Sequence, residues 1–102
     1  MSTQSITKVK PSLNVELKEP AMYKVIYIND STTSMEFVIE SLVTVFDYSP
    51  EEAAALTEKI HLDGQGVAAV LPYEMAEQKG VEVTQLARAN GYPLQIKLEP
   101  DA

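Results

Sequence analysis

The chain has no cysteine, one histidine, four glycines and no long apolar run. The missing cysteine excludes a disulfide framework, a thiolate zinc site and a cysteine nucleophile together. A single imidazole leaves too few neutral donors for a metal centre. Neither a GxSxG elbow nor a glycine-rich phosphate loop is present, Gly64-Gln65-Gly66 being too weak a spacing to count. The usual nucleophile, base and metal constellations are therefore lacking, and neither an enzyme nor a cofactor is expected. The purely aliphatic stretch Val67-Ala68-Ala69-Val70-Leu71 falls far short of the roughly 20 residues that cross a bilayer. The start, Met1-Ser2-Thr3-Gln4-Ser5, lacks the basic and apolar regions of a secretory signal. The expected location is cytoplasmic or an equivalent reducing compartment such as a plastid stroma, with no membrane partner.

What is present is one small domain's worth of chain, 102 residues, with a net charge of −7. Lys8, Lys10 and Lys18 against Glu16 and Glu19 make the first twenty residues slightly basic, so the rest carries −8. That field repels phosphate backbones and attracts a cation such as a free α-amino group. Nucleic acid is not an expected partner.

Residues 1–20 are rich in Ser, Thr, Lys and Pro, and their scattered Leu13, Val15 and Leu17 cannot build a core face, which predicts a flexible arm. The folded domain is expected over 21–102. Met22 to Ile28 is dense in β-branched and aromatic residues and reads as a strand, central and covered on at least one face. A polar loop, Asn29 to Thr33, ends it. Thr33 with Glu36 three residues on fits a capping box, and Met35, Val38, Ile39, Leu42, Val45 and Phe46 continue at helical spacing. Ser49-Pro50-Glu51-Glu52 opens a second helix that ends near Gly64, with His61 in its last turn. Residues 66–71 read as a short buried strand. A third helix is predicted from Pro72-Tyr73-Glu74 to about Asn90, ended by Gly91, with Gly80 costing it about 1 kcal/mol relative to alanine. Leu94, Ile96 and Leu98 alternate with Gln95, Lys97 and Glu99 as a half-buried strand. The order is β-α-α-β-α-β, an α+β domain.

Taken alone, the polar loop is turn and cap chemistry, and His61 is a helix-terminal residue favoured by the macrodipole. Met35, Val38, Leu56, Thr57, Ile60 and Leu94 are either core or the walls of an apolar pocket beside that loop. Periodicity does not separate the two.

These residues nevertheless fall into a pattern. Met22-Tyr23-Lys24-Val25-Ile26, the Asn29-Asp30 loop and Met35-Glu36-Phe37-Val38 resemble the signature of the ClpS adaptor family. His61 with Gly64, Glu74 to Lys79, and Ala87-Arg88-Ala89-Asn90-Gly91-Tyr92-Pro93-Leu94 extend the likeness to about Glu99. The resemblance implies a three-stranded antiparallel sheet packed with three helices. It further implies a monomeric, non-enzymatic adaptor that binds proteins whose first residue is Leu, Phe, Tyr or Trp. Such an adaptor delivers them to the N-terminal domain of a Clp AAA+ unfoldase of ClpA or ClpC type.

By the same resemblance, Asn29, Asp30, Ser31 and His61 face the N-degron's amine and backbone. Thr33, Met35, Val38, Thr57, Ile60 and Leu94 line its side-chain pocket, and Glu74 and Lys79 dock the chaperone. Met35 is expected to narrow the mouth against Ile and Val. Two positions depart from the family pattern: Ser31 replaces an acidic residue, and Thr57 a large apolar one, often Met. Ser31 supplies no charge, which implies a weaker grip on the amine, and Thr57 implies a wider or wetter pocket. They also support an alternative in which the protein regulates the Clp chaperone through its N-terminal domain without recognising N-degrons.

Overall fold

The structure is a computed structural model and describes residues 20–102. The arm expected over 1–20 therefore lies, except for Pro20, outside the described residues. Strand β1, Met22–Ile28, is the middle of a sheet ordered β2-β1-β3, with β2 at Gln65–Pro72 and β3 at Gln95–Pro100. Both pairings are antiparallel. Val25, Ile26 and Tyr27 are consecutive and all buried, so both faces of the middle strand are covered there.

Three helices complete the β-α-α-β-α-β order: α1 at Met35–Phe46, α2 at Pro50–Asp63 and α3 at Tyr73–Ala89. The N-cap of helix α1 lies one residue later than predicted. Ser34, not Thr33, accepts from the Phe37 N–H at 3.1 Å, while the Thr33 hydroxyl is turned toward Asp30, to which it donates. Helix α2 has the predicted capping box: Ser49 Oγ accepts from Glu52 N–H and Glu52 Oε1 from Ser49 N–H, at 3.1 and 3.2 Å. Gly64, at φ 91°, ends it in the left-handed conformation as expected.

The helices share one face of the sheet. In the register Gly66 and Ile96 flank Tyr27; Tyr27 meets α1 through Ser41, Gly66 lies against Leu56 and Ile60 of α2, and Gly80 of α3 lies over Ile96. A Cβ on Gly80 would sit 3.4 Å from Ile96 Cγ2. The close approach of helix to strand is what the mid-helix glycine provides. One contiguous core joins Tyr27, Val38, Leu42, Ile60, Val83 and Leu94.

The reading of residues 66–71 as a buried strand is corrected. Strand β2 is an edge strand, and Val67 and Val70 on its outer face are 40% and 39% exposed. Five apolar residues in a row carry no alternation, so the pattern could not tell a half-open edge from a buried centre. Ala68 is left out of the ladder by a bulge opposite Val25 and Ile26, and its carbonyl accepts the Tyr48 hydroxyl at 2.6 Å. Among the described residues no helix is long and apolar enough to cross a membrane, and no group of three or more His, Asp or Glu could hold a metal ion.

Candidate functional site

The loop that follows β1 carries four of the candidate residues, Asn29, Asp30, Ser31 and Thr33. The Asn29 N–H donates to the Gly64 carbonyl at 2.9 Å, which fastens the loop to the end of α2 three residues beyond His61. The amide-bearing loop and the imidazole-bearing turn are thus neighbours through the backbone, and both side chains are exposed.

Asp30 organises the loop between them. Its Oδ1 accepts the N–H groups of Thr32 and Thr33 at 2.8 and 2.7 Å, and its Oδ2 accepts the Thr33 hydroxyl at 2.8 Å. Partial burial works against ionisation of this carboxyl. The bonds from Thr33 and Thr32 and the attraction of Arg88 outweigh it, holding the group below the ordinary carboxylate value. Oδ2 takes one bond from the loop and keeps acceptor capacity for another donor. Ser31 is exposed beside it, as a neutral hydroxyl.

Behind the loop lies an apolar set. Val38 of α1, Ile60 of α2 and Leu94 ahead of β3 belong to the same core cluster, at 7%, 3% and 1% exposure. Of the two readings left open by periodicity, core is the one seen, since all three side chains belong to the buried cluster. Thr57 is also buried, and its hydroxyl donates to the Ala53 carbonyl at 2.7 Å. With that hydroxyl turned into its own helix, Thr57 brings no unmet polar group, so a wetter pocket does not follow from it. Met35, at the start of α1, is 46% exposed.

Arg88 is part of this arrangement and was not singled out from the sequence. Its Nη1 donates to the carbonyls of Tyr92 and Leu94, both at 2.9 Å, so the guanidinium ties the end of α3 to the segment that carries Leu94. The signal was a basic residue in the last helical turn ahead of a terminating glycine, a position suited to binding free carbonyls.

The two docking candidates differ in setting. Glu74 is exposed in the first turn of α3. Lys79 donates to the Val45 carbonyl at 3.1 Å and lies 3.9 Å from Glu82, so it also serves the C-terminal end of α1.

Residues 18–97 match the family model of the ATP-dependent Clp protease adaptor protein ClpS. The chain is 45% identical over 93 residues to the ClpS adapter of Helicobacter hepaticus, covering 91% of this chain and 94% of that one. It is 47% identical over 83 residues to the ClpS adapter of Clostridium acetobutylicum, covering 81% and 82%. The fold is similar to that of Agrobacterium tumefaciens ClpS2 bound to L-phenylalaninamide, with a TM-score of 0.79 and 35% identity, over 81% of this chain and all of that one. With sequence and architecture agreeing from the first strand to the last, the chain belongs to the ClpS family of Clp protease adaptors.

Proposed function

We propose that the protein binds the first residue of client proteins when that residue is Leu, Phe, Tyr or Trp, and hands the client to a Clp unfoldase without catalysing a reaction itself. The observation that supports this is the bond from Asn29 N–H to the Gly64 carbonyl, which ties the polar loop to the end of the helix that carries His61 and Ile60. An exposed polar rim beside an apolar floor suits a chain start, the one place where a backbone ammonium and a side chain stand on the same carbon. The ligand of the A. tumefaciens relative, L-phenylalaninamide, has this form, with its amide in place of the next peptide bond.

In this proposal Asn29 and His61 hydrogen-bond the amine and first peptide group, and Asp30 supplies the negative charge through the free capacity of Oδ2. Ser31 adds a hydroxyl. Thr33, Met35, Val38, Thr57, Ile60 and Leu94 surround the side chain, and Met35, an exposed flexible thioether, swings to admit it. Burying a Leu or Phe side chain contributes about 1.5–3 kcal/mol, and charge-assisted bonds to the ammonium about as much again. Glu74 and Lys79 dock the N-terminal domain of a ClpA- or ClpC-type chaperone, and residues 1–20 act as an arm that helps pass the client on. The protein works as a monomer in a reducing compartment.

Fluorescence anisotropy with short peptides beginning Leu, Phe, Tyr or Trp, each beside its N-acetylated twin, tests this. Binding abolished by acetylation supports it. Absence of binding to every free-amine peptide at high micromolar protein refutes it and favours the second reading, a Clp regulator blind to N-degrons. The uncharged Ser31 keeps that second reading in play.

A further inference from the structure

Three depressions follow one another along the free edge of β3. The first, about 240 Å³, is lined by Ile28, Asn29, Asp30, Pro93 and Gln95. The second, about 520 Å³, shares Ile28 and Gln95 with it and adds Arg88, Thr84 and Ile96. The third, about 270 Å³, shares Thr84 and Ile96 with the second and ends on Gly80, Val81 and Leu98. Shared walls make these one trough that begins at the proposed amine-binding loop and runs between α3 and β3. Its far end is largely apolar: Val81, 49% exposed, lines it with Ile96 and Leu98, alongside Glu77, Thr84 and Gln85. Beside it runs an edge strand whose outer backbone groups have no neighbouring strand among the described residues.

We propose that this trough holds the client's second to about sixth residues as an extended strand along β3, and that its far end selects an apolar side chain at the fifth or sixth place. This rests on the N-degron reading above and extends it. The occupant follows from continuity: a chain whose amine sits at Asn29 and Asp30 has its next residues at the mouth of the trough. Extended chain advances about 3.3 Å per residue, so passing from Gln95 to Leu98 brings the fifth or sixth client residue to Val81.

The test uses the full-length protein and three peptides beginning with Phe: a Phe-Ala amide, an octapeptide with Leu at positions five and six, and its twin with Ser there. The Leu octapeptide is expected to bind about tenfold more tightly than either of the others, the worth of one partly buried apolar side chain. Val81→Glu, at an exposed helix position, is expected to erase that advantage and leave Phe-Ala amide unaffected. Equal affinity of the Leu and Ser octapeptides overturns the proposal while leaving the N-degron reading intact. So does a Val81→Glu variant that loses a purified Clp N-terminal domain yet keeps the Leu advantage, since the trough then belongs to the chaperone. Binding of no free-amine peptide overturns both.

Discussion

The hydroxyl of Tyr27 lies 2.8 Å from Oγ of Ser41, and Ser41 in turn donates to the Val38 carbonyl at 2.8 Å. Since the Ser41 proton is engaged there, the Tyr27 hydroxyl is the donor to Oγ. Burial drives the Tyr27 pKa far up, and the Ser41 bond relieves only part of that. This relay joins the middle strand to the turn of α1 that carries Val38, a wall of the proposed pocket.

Ser41→Ala leaves the Tyr27 hydroxyl buried without its partner and is expected to cost about 1–3 kcal/mol, whereas Tyr27→Phe removes only the bond, about 1 kcal/mol. Urea unfolding of both variants and of the double variant checks this. The double variant is expected to be more stable than additivity allows.

Asp30 gives an acid-side signature. Its folded pKa is lowered, so its contribution to stability is complete above the ordinary value of about 3.8 and is lost as pH falls through the depressed folded value. The stability gap between the wild type and Asp30→Asn is therefore expected to be constant above about pH 5 and to shrink below pH 4, read as urea midpoints against pH.

Arg88→Met removes both carbonyl bonds that hold the Leu94 segment, and about a tenfold loss of free-amine peptide affinity is expected. Arg88→Lys keeps the charge but not the planar fork and is expected to recover only part of it, in the same anisotropy measurement.

At Gly66 the space is already taken. An added Cβ would come 2.7 Å from Ile60 Cγ1 and 3.2 Å from Leu56 Cδ1. Gly66→Ala is expected to cost about 1–3 kcal/mol in thermal or urea unfolding. By displacing Ile60 it is also expected to weaken peptide binding.

Ser31→Asp restores a carboxylate beside the loop and is expected to tighten a free-amine peptide by roughly tenfold or more, with no effect on its acetylated twin. Unchanged affinity would remove Ser31 from the proposed rim.

Element order, the α2 cap and the two glycine terminators were legible because each is written locally, in Ser49-Pro50-Glu51-Glu52, Gly64 and Gly91. The α1 cap was misplaced because Thr33 and Ser34 are both cap formers, and the choice was made by Asp30, whose claim on the Thr33 hydroxyl is a matter of three-dimensional loop geometry. Strand β2 was misjudged for a related reason: whether Val67 and Val70 are covered depends on what lies over the sheet's outer face, which no property of a five-residue run records. Asn29, His61 and Leu94 were picked out by resemblance. The link between the Asn29 loop and the helix that carries His61 needed the Asn29 to Gly64 bond to be seen, and the tie from Arg88 to the Leu94 segment needed its two carbonyl partners.

The bond from Lys79 to the Val45 carbonyl makes this lysine a poor reporter of partner docking when it is replaced. Neutralising it also strips the final turn of a neighbouring helix of its cation, so lost chaperone affinity and a frayed helix end would arrive as a single readout. Glu74, exposed in the first turn of the same helix, is the cleaner probe, and a result at Lys79 is interpretable only beside one obtained there.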